Sequence, residues 1–170
     1  MTKVSKMMLK NVRLSFPSLF NRSVFDGQEG KFEATFLIDK GDVKTKRAID
    51  EAIAAMIAEV KIKVPEDKLC LKDGDSSDYD GYEGNWSLKA ASIKRPTIIN
   101  RDKSPIVEDD EVIYAGCYVN AVIDFWIQNN KFGKRVNANL YGVQFVGDGD
   151  PLGMGRTNVA NDFDDLDDEL

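Results

Sequence analysis

Val112 to Gln128 reads VIYAGCYVNAVIDFWIQ. Its odd positions, Ile113, Ala115, Cys117, Val119, Ala121, Ile123, Phe125 and Ile127, are all apolar, while its even positions include Tyr114, Tyr118, Asn120, Asp124 and Trp126. A period of two sustained over this length predicts one long β-strand with a single face in a core. The opposite face then shows aromatic and polar groups together. Such a face is either a half-buried surface or a platform that grips something flat.

Working outward, Asn129-Asn130-Lys131-Phe132-Gly133-Lys134 is rich in turn formers and predicts a hairpin. The return strand RVNANLYGVQFV alternates Val136, Ala138 and Leu140 inward against Arg135, Asn137, Asn139 and Tyr141 outward. Val143 and Phe145 share a core face with these only if a bulge near Gly142 switches the register. Upstream, MLKNVRLSFP from Met8 predicts a strand with Leu9, Val12, Leu14 and Phe16 inward, ending at Pro17. KFEATFLID from Lys31 predicts a second strand, able to pair antiparallel with the first. NWSLKAASIK from Asn85 predicts a third, and PTIINR from Pro96 an extended continuation.

One segment departs from this period. After Asp42, a plausible N-cap, Val43, Arg47, Ile49, Ile53, Met56, Ile57 and Val60 recur every three or four residues, which predicts a helix over about 42–63, stopped by Pro65. Its alanines are expected to pack on the sheet. Residues 66–84 then read as a solvated polar connection. Its run DGDSSDYDG suggests a calcium loop, but a register starting at Asp73 puts Asp78 where glycine is required.

The chain of 170 residues is 42% apolar, enough for one domain with a real core. It contains no run of about 18 apolar residues, and its charged opening lacks the apolar stretch of a signal peptide, so a cytoplasmic location is expected. Cys70 and Cys117 are expected as buried free thiols. The absence of histidine excludes a His-based triad and a His general base. Net charge is −6, yet residues 1–147 hold 22 basic and 21 acidic side chains, whereas residues 148–170 hold 1 and 8. A near-neutral body of 1–147 thus carries a flexible acidic tail of 148–170, too poor in apolar surface to fold alone. The tail ends DFDDLDDEL, from Asp162 through Phe163, Asp164, Asp165, Leu166, Asp167, Asp168 and Glu169 to Leu170.

Together these elements predict a mostly β architecture, an OB-fold-like five-stranded antiparallel barrel with one main helix. Single-strand binders on such barrels combine a cationic groove with aromatic platforms, because every base has a π-face and every nucleotide a phosphate. The candidate DNA-binding residues are the outward rings Trp86, Tyr114, Tyr118, Trp126 and Tyr141, with Lys89, Lys94, Arg95, Arg101, Lys103, Lys134 and Arg135 among them. Some of these rings could instead close the barrel ends or meet the helix.

LKNVRLSFPSLF, KFEATFLI, NWSLKAASIKRPTIINRDKSPI, YAGCYVNAVIDFWIQ with its hairpin to RVNANLYGVQF, and the acidic end NDFDDLDDEL, taken in that order, resemble the bacteriophage single-stranded-DNA-binding proteins. The resemblance runs nearly the full length. It implies an OB fold without enzymatic activity or cofactor, and a barrel groove that binds single-stranded DNA during phage replication or recombination in an infected bacterial host. It further implies that the acidic tail competes with DNA and recruits replication or recombination proteins. Several relatives end in an aromatic residue, whereas this chain ends in Leu170 with Phe163 further in. An exposed edge strand or a swapped tail offers a route to a homodimer. Two other readings stand beside this one: a metal-dependent nuclease or recombination accessory using Asp73, Asp75, Asp78, Asp80 or Glu83, and a protein-binding adaptor.

Overall fold

The structure, a computed structural model, describes residues 6–152. In chain order it contains β1 (Met7–Ser18), β2 (Val24–Phe25), β3 (Gln28–Glu29), β4 (Phe32–Asp39), α1 (Val43–Val60), β5 (Leu71–Asp73), β6 (Asn85–Ser92), β7 (Thr97–Ile99), β8 (Tyr118–Asn130) and β9 (Gly133–Gly147). Short 3-10 turns cover Glu66–Lys68, Gly74–Ser76 and Glu108–Asp110.

Five strands close a ring in the order β6-β4-β1-β8-β9 and back to β6. Four of its junctions are antiparallel, and the closing one, β6 with β9, is parallel through Ala90–Ala138 and Ala91–Asn139. The mostly antiparallel five-stranded barrel expected from sequence is thus present, with one parallel junction that closes it. The chain reverses twice between β6 and β9, at the crossover into β8 and at the β8–β9 hairpin, so the two meet pointing the same way. The result is an OB fold. Leu9, Leu14, Phe36, Leu88, Val119, Ile123, Val136 and Leu140 fill its interior and are almost wholly excluded from water.

Bulges reconcile the sequence pattern with a closed barrel. Between Leu9 and Val12, β1 carries an extra residue against β8, and Asn11 takes φ 53° there. That is how residues three apart both point inward. The expected switch near Gly142 occurs as Val122 pairs with Gly142 and Ile123 with Leu140, leaving Tyr141 as the extra residue and returning Val143 to the core.

The long strand begins later than its alternation suggests, at Tyr118 rather than Val112. Gly116 sits at φ 112°, and a Cβ there would stand 2.1 Å from the Asp150 carbonyl oxygen. The chain turns there because another segment crosses directly over it. At the N-terminal end, β1 continues through Pro17 to Ser18 rather than stopping.

The helix is capped at Asp42, whose carboxylate accepts from the Thr45 amide. It ends at Val60, three residues before the expected Lys63, because Lys61 adopts a left-handed cap at φ 56°. Ile49, Ile53 and Met56 form its buried stripe, and α1 packs against β8. Ala48, Ala54, Ala55 and Ala58 are exposed, contrary to the expected packing, since a stripe this narrow needs only the larger side chains.

Candidate nucleic-acid interface

Strand alternation builds a cleft on the outer face of the barrel. Leu88 and Ala90 point inward on β6, so Ser87, Lys89 and Ala91 point out. Thr35 on β4 lies opposite Lys89, and Asn137 on β9 opposite Trp126 on β8. These positions line a cleft of about 910 Å³ with Phe16, Lys31, Glu33, Lys68, Cys70, Lys72, Tyr79, Tyr82, Gln128, Arg135 and Asn139.

Aromatic rings stand at separate places along it. One group comprises Phe16, Tyr79 and Tyr82, with ring centroids 4.7 Å apart for Phe16–Tyr79 and 5.3 Å for Tyr79–Tyr82. Tyr82 is buried, its hydroxyl 3.0 Å from that of Ser15, whereas Tyr79 is 50% exposed and can receive a flat partner. Phe16 reaches this group from an unusual backbone. It takes φ 46°, rare for a bulky side chain, at a bulge where Ser15–Ser18 of β1 opposes Thr35–Glu33 of β4. The inward position expected for Phe16 is therefore replaced by one at the cleft. Trp126 supplies the other platform, with Lys31 Nζ 5.9 Å from its ring centre.

The lining is cationic: Lys31, Lys68, Lys72, Lys89 and Arg135 face one carboxylate, Glu33. Glu33 Oε2 lies 3.1 Å from Lys89 Nζ. Replacing Glu33 with Gln removes a like charge from the path of a polyanion and frees Lys89. We expect Glu33→Gln to tighten binding of single-stranded oligonucleotide by roughly two- to five-fold, the scale of a partly exposed ion pair, as measured by fluorescence anisotropy at low salt. Cys70, a free thiol in this cleft, is pushed up to about 12 by burial and is therefore a poor nucleophile at neutral pH.

Residues 66–84 are largely exposed, as expected, but they are pinned in place. Lys40 Nζ binds Asp73 at 2.6 Å and also Asp75, while Asp75 accepts from the Gly84 amide at 2.7 Å. These contacts hold both carboxyls below the usual carboxylate range, and their hydrogen bonds hold the Lys40 ammonium above its own. Gly74 is enclosed by the Tyr82 and Asn85 carbonyl oxygens, which a Cβ would meet at 2.3 and 2.4 Å. A pinned loop thus presents Tyr79 and Tyr82 to the cleft. Two of its acids, Asp73 and Asp75, are engaged with Lys40, and among the described residues no group of three or more potential metal ligands converges.

Of the residues singled out from sequence, Lys89, Trp126 and Arg135 line the cleft. Trp86 lies elsewhere. It shares the parity of Leu88 and Ala90, packs on the core and sits between Lys40 and Lys46, whose ammonium groups are 4.8 and 4.6 Å from its ring centre. Tyr114 turns to the segment after β9: its hydroxyl lies 2.9 Å from Asp148 Oδ1, to which it can donate, and it accepts from the Gly149 amide at 3.1 Å. Tyr118 is half-buried where β8 meets Gly147. Tyr141, outside the cleft lining, donates to Asp124 at 2.6 Å beneath Lys6. Arg95 lies over Phe32 beside a separate small cleft, and Arg101 donates to the Val146 carbonyl. Lys94 and Lys103 are exposed in turns, and Lys134 is exposed on β9 where it pairs with Asn129 beside the hairpin turn. The tail residues Asp162 to Leu170 lie outside the described residues.

Sequence reasoning missed Phe16, Lys31, Lys68, Lys72 and Tyr79. Two tyrosines in an acidic, otherwise polar loop were the available signal, since such a segment gains little from rings unless they have somewhere to pack.

Comparison with known proteins gives the family to which the chain belongs. The family described as Enterobacter phage Enc34, ssDNA-binding protein, matches residues 5–170. Protein p50 of Acyrthosiphon pisum secondary endosymbiont phage 1 is 40% identical over 173 residues, covering 95% of this chain and 94% of that one. The single-stranded DNA-binding protein of bacteriophage Enc34, solved in complex with ssDNA, is 36% identical with a TM-score of 0.79, covering 87% of this chain and 89% of that one. The single-stranded DNA-binding protein encoded by bacteriophage T7, at 13% identity, shares the fold, with a TM-score of 0.62 over 99% of this chain and 96% of that one. By match length and by identity, this chain belongs to the family of the Enterobacter phage Enc34 single-stranded-DNA-binding protein.

Proposed function

We propose that this protein binds single-stranded DNA with little sequence preference during phage replication or recombination, in the cytoplasm of an infected bacterium. The observation that carries this reading is the cleft itself, with cations along its walls and ring platforms at Tyr79, Phe16 and Trp126. Phosphates pair with Lys31, Lys68, Lys72, Lys89 and Arg135, while bases stack on the exposed rings. Lys72, Lys89, Trp126 and Arg135 stand on the outward faces of strands, while Lys31, Lys68 and Tyr79 come from the connections beside them, so sheet and loops together supply the binding face.

The acidic segment 148–170, with one arginine against eight acids, is proposed to compete with DNA for this cleft. A tethered polyanion has a high effective concentration near a cationic groove. DNA carries more phosphates and displaces it, which frees Phe163, Leu166 and Leu170 to engage replication or recombination proteins. The test is a gel shift with single- and double-stranded oligonucleotides, using the full chain and one lacking residues 158–170. The shortened chain is expected to bind single strands roughly ten-fold more tightly at low salt. Equal affinity of the two forms would remove the competition, and no binding by either would remove the function.

A further inference from the structure

Residues 148–152 follow the last strand and belong by charge to the acidic end, yet they are built into the barrel. Leu152 is only 8% exposed and joins Leu37 and Tyr82 in a small apolar cluster, with Phe16 and Ala115 packed against it. Its amide donates to the Ala115 carbonyl at 2.9 Å. Arg13 donates from Nε to the Gly116 carbonyl at 3.2 Å and from Nη2 to the Asp150 carbonyl, tying the strap to the turn beneath it. Gly81, at φ 84°, leaves room for Leu152: a Cβ there would lie 2.4 Å from Leu152 Cδ2.

Two members of this cluster, Phe16 and Tyr82, also line the DNA cleft, and both rings adjoin the exposed Tyr79. We infer that residues 148–152 form a strap that sets the aromatic end of the cleft, with Leu152 as a positioning residue for the Phe16–Tyr79–Tyr82 platform. The inference rests on the proposed single-strand binding. Leu152 packs with Leu37, Tyr82, Phe16 and Ala115 and against Gly81, so it acts on stacking geometry rather than on the phosphate contacts. The strap also places the root of the acidic segment beside Gly81 and Tyr82, the latter one of the residues lining the cleft that the segment is proposed to enter.

The test measures anisotropy of a labelled oligo(dT) with the full-length protein, comparing the native chain with Leu152→Ala, Leu152→Met, Tyr79→Ala and the Leu152→Ala/Tyr79→Ala pair. Leu152→Ala is expected to weaken binding by roughly three- to ten-fold, around the low end of the effect of a lost stacking contact. Leu152→Met, which keeps the volume, should stay within about two-fold of the native chain. The paired substitution should lose less than the product of the single effects, because both act on one platform. The slope of log affinity against log salt should not change, since the phosphate contacts are intact. Should Leu152→Ala fail to fold, Gly81→Ala pushes on the same contact from the other side, and a comparable loss is expected. Unchanged affinity for both of these variants overturns the strap, as does full additivity with Tyr79→Ala, which would point to altered tail competition. A loss explained by a smaller binding-competent fraction, measured by titration to saturation, also overturns it. If the native chain itself binds no oligo(dT), the functional reading fails along with the strap, and that result is distinct from the others.

Discussion

Trp126→Ala weakens binding of single-stranded DNA by about 1–3 kcal/mol with little change in thermal stability, the scale of one base–aromatic stack. Trp126 is half-buried on the outward face of β8, lines the cleft and lies opposite the small polar Asn137, so its removal opens no cavity in the barrel interior. Trp86→Ala gives the reverse. That ring packs on the core between the β6 backbone and the lysines of β4's end and α1, so its truncation costs stability toward the lower end of the ~3–5 kcal/mol typical of large aromatic deletions. Its effect on DNA affinity should be small. Anisotropy titration and thermal unfolding of both variants check the pair. Equal loss of affinity in the two would contradict the assignment of the cleft.

Raising salt from 50 to 500 mM lowers affinity for single strands by up to about 3.5 orders of magnitude. Neutralising Z phosphates of a single strand gives a slope of log affinity against log salt near −0.7Z. The cleft offers Lys31, Lys68, Lys72, Lys89 and Arg135, which sets a limit near −3.5 on the same relation. Lys89 already has Glu33 as partner, so the measured slope should be shallower than this limit and should steepen in Glu33→Gln. A titration series across salt concentrations measures it. A slope near zero would mean that the cleft cations do not meet phosphates and would favour the adaptor reading, in which an aromatic face binds protein.

How much of this was legible before folding depends on the range of the interactions. β8 and β9 were readable as a hairpin because period-two burial and a turn signal are local. The face switch near Gly142 was readable too, since Val143 and Phe145 could not otherwise join Leu140. Trp86 was misplaced for an instructive reason: alternation assigns it the parity of Leu88 and Ala90, but an aromatic beside a run of cations also resembles a binding ring. Only the packing of α1, with Lys46 over the indole, decides between them. The loop of residues 66–84 is largely exposed as its polarity suggests, but what pins it is Lys40, more than thirty residues away in the chain, which holds Asp73 and Asp75.

By itself the sequence determined the long strands, the helix, the bulge near Gly142 and the division of charge between body and acidic end, because each follows from neighbours within a few residues. Only the tertiary structure decided that β6 and β9 close the ring in parallel and that Phe16 turns outward at a strained bulge. It also decided that Tyr79 joins Phe16 at one cleft platform while Tyr114 and Tyr118 secure the chain after β9. Those outcomes depend on which distant segments cross, and no local periodicity encodes a crossing. Val112–Gln128 shows the boundary within one stretch: alternation specified its core face, whereas Asp150 lying over Gly116 decided where the strand begins.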